Sequence, residues 1–292
     1  TANGSSGVYI VNRPGKQTLY KGRQGAEDAE IAGETHLYYD QTDSYTSPPA
    51  QGLLRRTEIS VTQDIAVGTT YEYAANGNLS RVVDQGGHEI RTYYDARFQA
   101  YAVCVKNHLG QTTKTRYYGV PGSSDAGCTT DDGTAAWNRS FGQTAEVKDA
   151  NDAIATLTYD TRGRLNGVWL PGESKASGHA ATQAITYSFN GGPFMIQVAQ
   201  RDDRDGGGAA ATYLNTWTSY DGFGRAIQTQ QESPTGTGCI LTNIRPGPFD
   251  QVMTQTVPYW YIWPGGTYRV PDWSKPSTRY AYDALGRTTH IT

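Results

Sequence analysis

Charge, sulfur and long apolar runs are all scarce in this chain. Asp, Glu, Lys and Arg make up 18% of its 292 residues, below the usual quarter. The 25 basic and 28 acidic residues leave a formal net charge of -3. That gives no electrostatic footprint for nucleic acid or an anionic membrane. No run of 18 apolar residues occurs, so a spanning helix is not expected. The residues present carry no secretory signal, an absence without weight because the chain opens at Thr1 and not at Met. It reads as a piece of a longer protein.

Catalytic and cofactor signatures are missing too. There is no Walker A sequence and no Gly-x-Ser-x-Gly, which removes support for phosphate-cradling and hydrolase readings. "GFGRAI" at 222–227 lacks a third Gly and a following helix, so it reads as a turn and not a dinucleotide site. His36, His88, His108, His179 and His290 are scattered without ligand spacing. "RDDRDGGG" at 201–208 offers Asp203, Asp205 and Gly206 to a calcium loop. Arg201 fills its first ligand place and Thr212 its twelfth, so a solvated loop is expected. No catalytic residue, metal ligand or cofactor is assigned.

Three cysteines are too few for a disulfide framework. Cys104, in the apolar run "YAVCVKN", is expected to be a small buried hydrophobe. Cys128 and Cys239 lie in Gly/Thr-rich loops. A Cys128–Cys239 bridge is weighed there against reduced thiols, and reduced thiols are the expectation.

What the chain does have is Tyr (21), Gly (34) and Pro (13), with few helix formers. That composition reads as all-β with many turns. "GAEDAEIAG" at 25–33 is the one stretch that reads as a turn or two of helix. "VPYWYIWPGGTYRVPDW" at 257–273 concentrates Trp260, Trp263 and Trp273. Core or lining packing is preferred there over an exposed platform for sugar rings.

One phrase recurs: Tyr-Asp, two variable residues, Gly-Arg. It stands at Tyr159, Asp160, Gly163 and Arg164; at Tyr220, Asp221, Gly224 and Arg225; and at Tyr282, Asp283, Gly286 and Arg287. Alternating residues precede and follow it, as on strands. Asp suits the first place of a type I turn and Gly the left-handed place that closes it. Each copy therefore encodes strand, tight turn, strand. Worn copies lie at Tyr73 to Asn78, at Tyr94-Asp95 (with Phe98 where Gly should stand) and at Tyr39-Asp40. The copies at Tyr159 and Tyr220 are 61 residues apart, and those at Tyr73 and Tyr94 are 21 apart. Three short periods fill the long one, as in repeat architectures. One role written three times is a scaffold's pattern; active sites are built once.

These phrases resemble the YD-repeat, or RHS, family. The flanks "YYDARFQAYAVCVKNHLGQTTKTRYYG", "FGQTAEVKDANDAIATLTYDTRGRL" and "SYDGFGRAIQTQ" resemble the middle region of SpvB/TcaC-type toxin-complex B components. The resemblance runs over residues 36–292 and leaves 1–35 and the Gly/Asp-rich stretch 200–211 without matching motifs. It implies antiparallel hairpin repeats in a spiralling sheet that forms part of a large hollow shell. It further implies a non-enzymatic wall segment enclosing a C-terminal, toxin-like cargo in a larger secreted or surface protein. The partners implied are the remaining YD-repeat segments, the cargo and other toxin-complex components. A surface adhesion sheet that binds glycans or a protein is the alternative.

Overall fold

Alternating sequence separated by Gly- and Asp-centred turns builds almost nothing but antiparallel strands. The computed structural model describes residues 10–22, 30–40, 42–60, 66–125, 128, 140–173, 175, 177–189, 192–202, 211–233, 237–263 and 265–292. Among these, the helical structure is one 3-10 turn, Pro248–Asp250. The chain divides into two units, Thr1–Asp152 and Ala153–Thr292.

The first unit is a meander of nine strands: β1 (Lys16–Lys21), β2 (Glu30–Tyr39), β3 (Leu54–Ser60), β4 (Ala66–Tyr73), β5 (Leu79–Val83), β6 (Glu89–Tyr94), β7 (Ala102–Lys106), β8 (Thr112–Tyr117) and β9 (Thr144–Lys148). Each pairs antiparallel with the next. Residues 30–33, expected to be helical, open β2, where Glu30 pairs with Lys21 and Ile31 with Tyr20. A two-turn helix is marginal alone, and the cross-strand ladder of β1 supplies what it lacks. Residues 25–29 lie outside the described residues.

Sulfur pairing departs from expectation. Cys104 is bonded to Cys128, with Cα atoms 5.6 Å apart, and Cys239 is the free, buried cysteine. The Cys128–Cys239 bridge does not form and Cys104 and Cys128 are not reduced, whereas Cys239 keeps the reduced thiol expected of it. Val103 and Cys104 are each 1% exposed although they point to opposite faces of β7. The segment after β8 covers one of those faces. It is anchored at Gly122, whose carbonyl accepts the Ala96 N–H at 3.1 Å. That returning segment carries Cys128 to Cys104, a proximity that sequence separation hides.

The second unit holds β10 (Ile154–Tyr159), β11 (Leu165–Trp169), β12 (Gln183–Ser188), β13 (Phe194–Asp202), β14 (Thr212–Tyr220), β15 (Ala226–Glu232), β16 (Cys239–Pro246), β17 (Val252–Thr256), β18 (Tyr259–Tyr261), β19 (Ser277–Tyr282) and β20 (Thr288–Ile291). The meander runs to β16 and forks there. Cys239–Leu241 pair with β18, whereas Ile244–Pro246 pair with β17, which leads on to β19 and β20. Asp203, Asp205 and Gly206 of the calcium candidate lie outside the described residues; Thr212 starts β14, and Arg201, on β13, is buried and paired with Glu173.

One face of β15 and β16 is polar and yet buried. Gln228, Gln230 and Asn243 are at most 1% exposed. Gln228 Nε2 donates to Asn243 Oδ1 (2.7 Å) and to the Arg269 carbonyl (2.9 Å). Gln230 Nε2 donates to the Thr267 carbonyl (2.8 Å) and to Gln228 Oε1 (2.8 Å). The N–H groups of Gly266 and Arg269 donate back to Gln230 and Gln228. Amide side chains thus do for this strap what a neighbouring strand would do, and every buried polar group named finds a partner. The aromatic segment is split by the same strap. Trp217 packs under Gly265 and Gly266, while Trp260 and Trp263 are each 53% exposed and not buried as expected.

Candidate functional site

The recurring phrase is the place to look for chemistry, because it brings an acid, a base and a phenol together. In each full copy the backbone closes the same loop. Asp160 N–H donates to the Arg164 carbonyl (2.8 Å) and Gly163 N–H to the Asp160 carbonyl (2.9 Å). Asp221 and Asp283 head the same pair of bonds. Gly163, Gly224 and Gly286 have φ of 79°, 81° and 80°, the left-handed region where a Cβ is strained. The ladder register shifts at Tyr159, Tyr220 and Tyr282, so this is a type I turn closed by a bulge.

The carboxylates are fully engaged. Asp160 Oδ1 accepts from the N–H groups of Arg162 (2.8 Å) and Arg164 (2.9 Å), and Oδ2 accepts from Arg164 Nε (2.8 Å). Asp221 does the same with Phe223 and Arg225, and Asp283 with Leu285 and Arg287. The Arg164 backbone N–H is the main cause, with its guanidinium, that holds Asp160 down at about 2. Each Arg thus pairs within its own turn. Two also reach onward: the Arg164 guanidinium lies 4.0 Å over the Tyr187 ring, and Arg225 donates to the Gly247 carbonyl (2.8 Å). Tyr159, Tyr220 and Tyr282 are half-buried, less covered than a core residue.

The worn copies show what the Asp does without its Arg. Asp40 accepts from the N–H groups of Ala50 (2.6 Å), Gln51 (3.0 Å), Gly52 (3.3 Å) and Leu53 (3.0 Å). Asp95, 1% exposed, accepts from Arg97, Phe98, Ala100 and Tyr101. Burial opposes both charges, but the backbone donors outweigh it and both carboxyls sit below their ordinary range. The turn after Asp95 differs from the short one, as Phe98 requires; its left-handed residue is Gln99 (φ 52°).

Tyrosine has a role that sequence reasoning missed. The hydroxyl of Tyr73 donates to the Leu54 carbonyl (2.9 Å), that of Tyr94 to Leu79 (3.1 Å) and that of Tyr117 to Ala102 (3.2 Å). In the second unit Tyr187 reaches Leu165 (2.9 Å) and Tyr282 reaches Val252 (2.8 Å). In the first unit the acceptors follow a rule. Leu54, Leu79 and Ala102 are the cross-strand partners of Tyr39, Tyr73 and Tyr94. Each Tyr closes its own hairpin with a bulge and fastens itself to the bulge of the hairpin before. The signal was present at Tyr117, where no Asp follows, but only the register exposes it.

No acid–base pair is set apart at these joints. A groove of about 1050 Å³ beside the first of them is lined by Asp40, Arg55, Tyr71, Glu72 and Tyr73. Its carboxylates are engaged, Asp40 by four N–H groups and Glu72 by Arg81 at 2.7 Å. Among the described residues no group of three His, Cys, Asp or Glu side chains is arranged to enclose a metal, and no helix is long and apolar enough to cross a membrane.

No family model matches the sequence, and no curated protein does. Solved structures do match the fold. The crystal structure of TcdB2-TccC3 aligns with 90% of this chain at a TM-score of 0.60 and 14% identity; the crystal structure of TcdB2-TccC3-TEV aligns with 91% at 0.58 and 13%. The chain spans 16% and 19% of the length of those chains. The fold of this chain is accordingly the all-antiparallel fold found in a part of TcdB2-TccC3.

Proposed function

We propose that this chain is a non-enzymatic wall segment of a YD-repeat shell in a larger, exported protein of the toxin-complex type, and that the shell encloses a C-terminal cargo. The observation that carries the reading is the joint. The hydroxyls of Tyr73, Tyr94 and Tyr117 each tie one hairpin to the previous one, and Asp95, beside Tyr94, seals its own turn. Such a unit adds hairpins without limit, which is what a wall needs and a catalytic pocket does not. The likeness of fold to TcdB2-TccC3 and the repeated YD phrases support the same reading. The carboxylates that would do acid–base chemistry are saturated by their own turns, which favours a structural role. The partners are the remaining YD-repeat segments of the same or a neighbouring chain and the cargo they surround.

Protease protection of the full-length protein tests this. The segment C-terminal to the repeats should resist a nonspecific protease in the intact protein and become sensitive once the repeats are unfolded by denaturant. Cleavage in the intact protein at the rate seen for the isolated segment overturns enclosure. Glycan or protein capture by the repeats with no protected segment supports the adhesion alternative instead.

A further inference from the structure

Two histidines twenty residues apart in sequence meet at the hairpin ends opposite the Tyr joints of the first unit. His88 closes the β5–β6 turn and His108 lies in the β7–β8 turn; their rings are 4.4 Å apart, centroid to centroid, and inclined at 49°. Both are exposed. His88 is held in one orientation from three sides. Its Nδ1 is 2.9 Å from Asp84 Oδ2, and its backbone N–H donates to Asp84 Oδ1 at 2.9 Å. Its ring lies across Gly86, where a Cβ would stand 2.9 Å from Cε1 and 3.1 Å from Nδ1. A carboxylate on Nδ1 fixes the tautomer that carries its proton there. The lone pair is then on Nε2, the arrangement that metal-ligating imidazoles adopt with an outer carboxylate. The turn that carries His108 is fixed as well, because Asn107 Oδ1 accepts from the N–H groups of Leu109 (3.1 Å) and Gln111 (3.0 Å).

We propose that His88 and His108 form a surface site for a divalent transition-metal ion such as Zn2+, with Asp84 as the outer carboxylate and solvent completing the coordination. Imidazole is a preferred ligand for Zn2+, Cu2+ and Ni2+. Two imidazoles on separate hairpins make the ion a clip between them. Such a clip would tie together the hairpin ends opposite the Tyr joints of β6 and β8.

The test is calorimetric titration of the full chain with Zn2+, with thermal unfolding measured alongside. One Zn2+ per chain is expected at this site. His88→Ala and His108→Ala should each weaken it at least tenfold, and Asp84→Asn by about tenfold, the usual effect of removing an outer-shell carboxylate. Gly86→Ala, which crowds the ring without removing a ligand, should also weaken it. Zn2+ should raise the melting temperature of the wild type but not of the double His variant. Undiminished Zn2+ affinity in either single His variant, each with its metal-free melting temperature unchanged, overturns the proposal. So does weakening by only one of the two His substitutions, which would indicate a single-imidazole contact only.

Discussion

The two units solve the same turn in two ways. In the second unit Asp160, Asp221 and Asp283 each accept two backbone N–H groups and one guanidinium. In the first unit Asp40 and Asp95 have no Arg and accept four backbone N–H groups each. A carboxylate has about four lone-pair sites to fill when it is taken from water. A short turn presents only two N–H groups, so the next residue supplies a cation. A longer loop wraps its backbone around the carboxylate and needs none. In the full copies the Arg therefore completes what the two N–H groups of the short turn leave open, and at Asp40 and Asp95 the longer loop's backbone does this instead.

The strongest way to break this comparison is at Asp95. Asp95→Ala leaves four N–H groups that close around a buried carboxylate without their acceptor, and each such loss costs about 1–3 kcal/mol when water cannot replace it. A loss of about 3 kcal/mol or more is expected in urea unfolding of the chain, with Asp95→Asn falling between. If Asp95→Ala is no worse than Asp283→Ala at its exposed tip, the distinction drawn here between the two kinds of joint is wrong.

Next in size is the left-handed glycine. Gly224→Val places a β-branched residue at φ 81°, where about 1–2 kcal/mol of strain is expected. Gly224→Asn should recover part of that, because Asn tolerates this region. Equal melting temperatures for Gly224→Val and wild type would refute the turn.

A smaller effect should appear in acid. Asp160 is depressed to about 2, below the ordinary carboxylate value near 3.9. A depressed carboxyl adds stability above its unfolded pKa and loses it as pH falls through the folded one. The second unit should therefore weaken between about pH 4 and pH 2. In Asp160→Asn the slope of stability against pH over that window should be shallower. An identical acid limb in wild type and variant would show that the charge at this turn is not felt.

The smallest effects belong to the arginines, and they should differ among themselves. Arg287 is 75% exposed at its side chain, so Arg287→Ala should change stability by roughly 0.5 kcal/mol or less, and less still in high salt. Arg164 is 30% exposed and lies over Tyr187, so Arg164→Ala should cost about 1 kcal/mol. Equal, negligible losses would reduce the Arg to a solubilising group.

Local chemistry alone determined much of this protein. Asp-x-x-Gly makes a tight turn at Asp160, Asp221 and Asp283, since only Gly enters the left-handed region freely and Asp carries its own acceptor to the turn. Alternation on either side then makes strands, so the hairpins at Asp160, Asp221 and Asp283 were legible from six residues each. The all-antiparallel fold was legible for the same reason: the phrase is a local structure. What the tertiary structure decided were the meetings of residues far apart in the chain. Cys104 found Cys128 because a returning segment covers β7, and cysteine spacing says nothing of that path. Tyr73, Tyr94 and Tyr117 found carbonyls one hairpin back because the register, including a bulge at each Tyr, sets their reach. Gln228 and Gln230 are polar residues on a strand, yet a strap from residues 266–269 buries them, and His88 faces His108 only because successive hairpins lie side by side. Turns are governed by torsion angles and neighbours in sequence. Joints, bridges and straps are governed by which strands come to lie together, and that is fixed only when the ladders have formed.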